Sequence, residues 1–453
     1  ENYIFFSNRN SSSLIQNSIN ETSQITYNYL TSLITLISEF FFLIGVIIFL
    51  LIINPYETLV VLIVLSIIST FFYNLFKKKY LEFGVIRNEN DTKRFQTLEE
   101  TFGSIKDIIL KNKQNFFLER FKRYNNKSVA STKKVLIYQS LPRIFFEFIF
   151  ILFFVSLIIY LTINGSIIDI LPTLGVLAAI CLRTIPSINK IFNSLNNIKY
   201  ATRSIDIILN EIKSYENKKP KVIKNDSSEI IFKNNIELKK IFFKFSNSED
   251  FIFKNLNFLI KKNTSIGVMA DSGVGKSTLI NILSGLIKPT EGEILVDGRN
   301  VDTSLNKWMK KFSVVPQNFF MLDDTIEKNI TFGELDKISN EILLNIAIEK
   351  SELKDFINSR KNGLQEIIGQ RGSRISGGQQ QRLSIARALY SDPEILVFDE
   401  ATNSLDKKTE ESILNTIKKM SSTKTIIQIS HDLDALKYCD EIYKLSKEKL
   451  EKI

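Results

Sequence analysis

Residues 270–278, Ala270-Asp-Ser-Gly-Val-Gly-Lys-Ser-Thr278, have the types and spacing to cradle a polyphosphate. Gly273 and Gly275 let backbone N–H groups approach phosphate oxygens closely, and the start of the helix expected over 279–286 adds the favourable end of its dipole. Lys276 reaches the terminal phosphates and Ser277 can ligate Mg²⁺. Asp271, Ser272, Val274 and Thr278 complete the lining. An apolar, strand-like run at 264–269 precedes the loop, which is the strand–loop–helix context this chemistry requires. The expected ligand is magnesium-bound ATP. Ala270 stands where the pattern usually begins with glycine, so strain is expected there if the backbone requires positive φ.

A second strand-like run, Ile395-Leu-Val-Phe398, ends in Asp399-Glu400. Carboxylates at the carboxyl end of a buried strand occupy the place where open α/β sheets hold their sites. Asp399 is expected to hold Mg²⁺ through water, and Glu400 to polarise an attacking water. Upstream, Ser376-Gly-Gly-Gln379 opens a helical pattern, and a serine followed by Gly377 and Gly378 at a helix start makes a second anion-binding nest.

With these residues in place, the C-terminal half resembles the ABC transporter superfamily. Ser376 to Gln379 match its signature motif, and Ser404-Leu-Asp406 matches its D-loop. The resemblance implies that the signature nest closes on ATP held by the loop of a second cassette, so that a dimer completes the site. It also implies roles for three further residues. Phe245 matches the aromatic that stacks on adenine, Gln317 the glutamine that senses Mg²⁺ and nucleotide and couples to membrane helices, and His431 the histidine that contacts the γ-phosphate. The likeness runs from about residue 236 to 443. It departs at Ala270, at Phe245 where tyrosine is commoner, and at Ile375 where leucine is usual.

Elements must hold this chemistry in place, and the 453 residues suffice for more than one core. Four stretches, 30–53, 58–76, 144–163 and 168–190, have or approach the roughly 20 apolar helical residues that cross a bilayer core. Lys and Arg crowd the segment between the second and third spans, from Lys77 to Lys134, which makes that side cytoplasmic. The links 54–57 and 164–167 carry none and are expected outside. Helices projecting beyond the membrane fill the intervening segment, with a turn near Phe102-Gly-Ser104. The expected fold is an α-helical membrane domain over 1–214, a polar linker over 215–235, and an α/β P-loop NTPase domain over 236–453.

The formal charge of +10 does not indicate nucleic acid, because the basic residues flank apolar spans instead of lining a face with interleaved aromatics. Cys181 and Cys439 lie in different halves without metal-ligand neighbours, which supports neither a disulfide framework nor a zinc site.

Membrane spans fused ahead of one cassette resemble ABC half-exporters of the type IV exporter class, which dimerise and usually carry six spans. On that likeness two N-terminal spans are absent from this sequence, residues 11–21 form a first coupling segment, and residues 103–109 a second. Residues 141–143 and 178–190 are similar to flippases of lipid-linked oligosaccharides. The resemblance implies a homodimer in the inner membrane, in contact with membrane lipids, moving an amphipathic lipid-linked substrate outward. A peptide or drug exporter and an ATP-gated regulator that does not pump remain alternatives. Arg183, about 15 residues into its span or roughly 22 Å at helical rise, either faces a cavity and an anionic headgroup or snorkels to the inner interface. Glu39 poses the same choice, and Glu147 is expected to pair with Arg143 one turn earlier.

Overall fold

The computed structural model describes residues 3–7, 9–53, 55–164, 167–218, 230–245, 248–271, 273–334, 340–402, 405–446 and 449–453. The chain divides into two compact units, one helical over Phe5–Lys219 and one of mixed structure over Pro220–Ile453.

In the helical unit, a short helix Ser11–Gln16 capped by Asn10 runs through π-helical turns at Asn17–Glu21 and Ile25–Leu30 into α1, Thr31–Ile53. Three longer pieces follow: α2, Pro55–Gly103; α4, Gln114–Asn164; and α5, Ile167–Lys218, with the short α3, Ile105–Leu110, between α2 and α4. The expected spans are therefore the apolar ends of helices that continue well past them. The turn expected near Gly103 is present at Ser104. Among the described residues, Ser11–Ile52 and Gln114–Leu152 are long and apolar enough to cross a membrane. Ile34, Ile37, Phe41 and Ile52 stand exposed on α1, a surface that needs an apolar surrounding. The spans expected at 58–76 and 168–190 lie within α2 and α5, and most of their side chains fall outside the described residues, as do Asn54, Gly165, Ser166 and residues 219–229 of the expected linker. α5 runs on to Lys218, past the point where the linker was expected to begin.

Beyond the spans the bundle is held by polar groups. Glu21 and Arg87 are both buried and pair at 3.0 Å, with Ser204 bonded to each. Asp91 accepts from Ser128 at 2.7 Å. A buried charge is tolerated only when so partnered, and losing one partner would strand the other. At Gly84, an added Cβ would fall 2.4 Å from the Tyr200 carbonyl oxygen, so α2 and α5 approach as closely as a glycine permits. The Arg143–Glu147 pair forms at 2.7 Å as expected. Glu39 is bound by Lys190 at 2.6 Å, and the Arg183 guanidinium lies 4.8 Å from the Phe42 ring centroid.

The second unit has two sheets. One is four-stranded and antiparallel, in the order β2 (Phe253–Lys261), β1 (Asn235–Phe243), β4 (Glu291–Val296), β5 (Arg299–Asn300). The other has the order β10 (Leu450–Lys452), β9 (Glu441–Leu445), β3 (Ser265–Ala270), β8 (Thr425–Ser430), β7 (Ile395–Asp399), β6 (Phe312–Val315), parallel except for β10. The strands β3, β7 and β8 are buried along nearly their whole length, as expected for strands covered on both faces, and β8 buries Gln428 within its apolar run. One core, containing Ile236, Phe253, Ile266, Leu283 and Trp308, packs between the sheets; the other, containing Leu344, Leu383, Leu396 and Ile413, lies on the opposite side of the parallel sheet. The start of β1 is tied down by Asp297, whose carboxylate accepts from the backbone N–H groups of Lys233, Asn234 and Asn235 at 2.6 to 2.9 Å.

Candidate site at the carboxyl ends of four parallel strands

Parallel strands β3, β8, β7 and β6 are consecutive neighbours, so the loops leaving their carboxyl ends share one edge of the sheet. Those loops carry the glycine turn after Ala270, then His431, Glu400 and Gln317. Register brings them level: Met269 pairs with Ser430, Asp399 with Ile429, and Val315 with Phe398. Residues scattered over 160 positions thus meet because hydrogen-bonded strands carry them to one place.

Glu400 is the centre of this group. Its carboxylate accepts from Lys276 and, at 2.7 Å, from the Gln317 side-chain amide; His431 Nδ1 lies 3.7 Å away. Lys276 first, aided by His431, holds the Glu400 carboxyl below its ordinary range despite burial. Burial pushes neighbouring Asp399 the other way, with Lys276 opposing and Glu400 reinforcing the rise. Environment thus separates the two adjacent carboxyls, one strongly ionised and the other reluctant to be. Glu400 itself has φ of +52°, a left-handed conformation costly for a side-chain residue, fixed by its N–H donating to Ile429 O at 2.9 Å.

The glycine loop turns as its sequence requires. Gly273 and Gly275 have φ of +82° and +104°, and a Cβ on Gly275 would sit 2.7 Å from Ile252 Cγ2. The helix that follows, α6, spans Lys276–Leu283, starting earlier than expected, so Lys276, Ser277 and Thr278 form its first turn, where N–H groups lack intrahelical partners. Ser277 is exposed and Thr278 buried. Val274 packs partly against the core, Asp271 is exposed, and Ser272 lies outside the described residues. The strain expected at Ala270 is not present. Ala270 ends β3 in regular parallel pairing with Leu445, buried, with no positive φ; the turn begins after it, so a side chain is tolerated there.

Ser376 caps α7, Gly377–Tyr390, and its side chain accepts from the Gln379 N–H while the Gln379 side chain accepts from the Ser376 N–H, a reciprocal capping box. Gln379, expected to line a phosphate nest, spends its side chain on this cap. Gly377 is exposed, and nothing lies within 4 Å of where its Cβ would be, which leaves the helix end open to an incoming group. Gly378 follows in the first turn of α7. Asp406 likewise caps a helix, α8 (Lys407–Met420), accepting from the Thr409 N–H at 3.0 Å; Thr409 lowers its pKa. Ser404 lies outside the described residues. Phe245 makes an edge contact with Phe243 at 5.2 Å between centroids, beside the glycine loop's neighbours in the first core.

The donor set fits a hard cation only in part. Ser277, Gln317 and Asp399 offer hydroxyl, amide and carboxylate oxygens, the ligand type Mg²⁺ takes. Among the described residues there is no cluster of three or more His, Cys, Asp or Glu able to hold a metal unaided. The arrangement suits an ion whose remaining ligands are phosphate oxygens and water.

Two folded units, a membrane-type helical bundle and an α/β nucleotide-binding unit with a glycine loop facing a carboxylate, define a membrane-bound ATPase. The chain matches the family described as ABC transporter over residues 253–403 and the ABC transporter transmembrane region over residues 2–180. It belongs to the ABC transporter superfamily, whose cassette hydrolyses ATP, and it has the half-exporter arrangement, a type that works as a dimer.

An ATP-dependent lipid A-core flippase of Wigglesworthia glossinidia brevipalpis is 28% identical over 98% of this chain and 76% of that protein. The protein of that name from Mannheimia succiniciproducens is 31% identical over 62% of this chain and 51% of its own length. The alpha-hemolysin translocation ATP-binding protein of Escherichia coli O157:H7 is 37% identical, over 46% of this chain and 29% of that protein. In fold, the chain is similar to a bacterial Atm1-family ABC exporter with ATP bound, with a TM-score of 0.77 over 99% of this chain and 78% of that one, at 20% identity.

Proposed function

We propose that this chain forms a homodimer in the inner membrane and uses ATP binding and hydrolysis to move an amphipathic, lipid-linked substrate outward. The observation that carries the ATPase part of the reading is the convergence of Lys276, Gln317 and His431 on Glu400. Lys276, the Gly273–Gly275 backbone and the first turn of α6 bind the phosphates, and Phe245 stacks on the adenine. The Glu400 carboxylate takes a proton from the attacking water, oriented by His431 and Gln317. Mg²⁺, held by Ser277, Gln317 and Asp399, would neutralise charge on the phosphate oxygens. Ser376 and Gly377 of a second copy, with Asp406 nearby, close the site from the other side. Their open helix end in this chain supports that assignment.

A lipid-linked substrate is supported by the near full-length similarity to proteins named as lipid A-core flippases. The similarity to an alpha-hemolysin translocation protein, over 46% of this chain, leaves a peptide substrate as the second reading. A dimer purified with Lys276→Ala on one chain and Ser376→Arg on the other keeps one intact composite site. It is expected to hydrolyse ATP where both parent homodimers do not. A mixed dimer as inactive as its parents would contradict the shared site.

A further inference from the structure

The signature helix carries, three turns from its serine cap, a guanidinium that the chemistry above leaves unused. Arg387 Nε donates to the Asn329 carbonyl at 2.8 Å, Nη1 to the Phe320 carbonyl at 2.9 Å, and Nη2 to Asn329 Oδ1 at 3.1 Å. Its plane lies 4.3 Å from the Phe332 ring centroid. Burial lowers its pKa to about 10, which leaves it charged at neutral pH. Asn329 is fully buried and extends the clamp: its side-chain amide donates to Leu322 O and Thr325 O, and its Oδ1 accepts from the Leu322 N–H at 2.9 Å.

All of these partners lie in the segment that leaves β6 immediately after Gln317. One end of that segment therefore touches Glu400 through Gln317, and the other is gripped by α7, whose first residue follows Ser376. A planar fork spanning three acceptors transmits position in a way a flexible point charge does not. Ser376 and Arg387 sit on one helix, about 16 Å apart at helical rise, so they move as a rod. Phe320 and Phe332 meanwhile stay more than half exposed, 63% and 52%, although Phe332 is held in a left-handed conformation against the guanidinium. The clamp therefore fixes the path of the backbone instead of filling a core.

We infer that Arg387 is a positioning residue that ties the Gln317 loop to the Ser376 end of α7 and thereby links the two ATP sites of a dimer. This rests on the composite-site reading above. If Gln317 answers to this chain's own ATP and Ser376 to the partner's, a side-chain route between them runs through Arg387, beside the backbone bonds that link Asp324, Ile368 and Arg374. Coupling of that kind appears as cooperativity in ATP concentration.

The test uses the full chain in lipid nanodiscs with MgATP. Arg387→Gln removes the fork, and Arg387→Lys keeps the charge but cannot span the three acceptors. Both are expected to keep half-saturating ATP within about two-fold of wild type and to lose about ten-fold in kcat, with the Hill coefficient falling toward unity. Arg387→Lys decides the matter if the glutamine variant does not fold. A purely structural role would lower Tm and the active fraction while leaving the Hill coefficient of the folded protein at its wild-type value, and that result overturns the inference. The Lys276→Ala and Ser376→Arg mixed dimer tests the composite site separately. An inactive mixed dimer removes that reading whatever Arg387 does. An active one, with wild-type cooperativity in Arg387→Lys, removes this inference alone.

Discussion

Three alanine and glycine exchanges in the phosphate loop separate backbone conformation from side-chain space. Gly275→Ala meets two penalties. A side-chain residue at φ +104° costs about 1–2 kcal/mol. Its Cβ would also lie 2.7 Å from Ile252 Cγ2 and 3.0 Å from Phe253 Cζ, a crowding that costs about 1–3 kcal/mol. Gly273→Ala meets only the first, because nothing lies within 4 Å of its Cβ. Ala270→Gly meets neither, and as a strand end it loses only about 0.5–1 kcal/mol of chain entropy. If the loop must keep its shape to present N–H groups to phosphate, the strain appears as lost affinity, at about 1.4 kcal/mol per decade. Binding of a fluorescent ATP analogue to the full chain is then expected to weaken by at least about 30-fold in Gly275→Ala, by about 5- to 30-fold in Gly273→Ala, and by no more than about five-fold in Ala270→Gly. Equal losses in the two glycine variants would refute the crowding argument. A gain of ten-fold or more in Ala270→Gly would refute the finding that Ala270 is unstrained.

Asp297 supplies a stability test in the same unit. Burial alone would raise its pKa, yet three backbone donors outweigh it and hold the carboxyl below its ordinary range. A depressed folded pKa means stability that is present above the unfolded carboxylate value near 4 and lost as pH falls through the folded one. Asp297→Asn is expected to lower unfolding free energy by about 1–3 kcal/mol at neutral pH, with the gap to wild type closing in acid denaturation scans. A gap that persists at the lowest pH would contradict the charge-assisted clamp. Arg183→Ala tests substrate contact in the membrane: slower flipping of a lipid-linked oligosaccharide with unchanged basal ATPase is expected if Arg183 meets an anionic headgroup, and unchanged flipping in proteoliposomes would remove that role.

The features legible in the sequence are those whose chemistry is local. The glycine loop, the paired carboxylates after an apolar strand and the Arg143–Glu147 turn each lie within a few residues, where spacing alone dictates geometry. The Ser376–Gln379 capping box carried an equally local signal, a serine three residues before a glutamine. The same four residues also read as a phosphate nest, and the cap shows how the Gln379 side chain can be used within the chain itself.

What spacing could not show is pairing across the chain. Gln317 and Glu400 meet only because β6 lies beside β7, and the family resemblance, not periodicity, flagged the glutamine. Nothing in the polar stretch around Glu21 marks it as the buried partner of Arg87, nor Lys190 as the partner of Glu39. The Arg387 clamp was hidden for a different reason. Two of its acceptors are backbone carbonyls, which carry no residue-type signal at all.

The central claim, that Glu400 chemistry drives lipid translocation, is tested most directly by comparing wild type with Glu400→Gln in proteoliposomes for MgATP hydrolysis and flipping of a fluorescent lipid-linked oligosaccharide. The glutamine variant is expected to bind ATP normally and to lose about 10²- to 10⁴-fold in hydrolysis, with sustained flipping lost alongside it. Near-normal hydrolysis in the variant, or ATP-driven flipping that continues over many turnovers without it, would contradict the account.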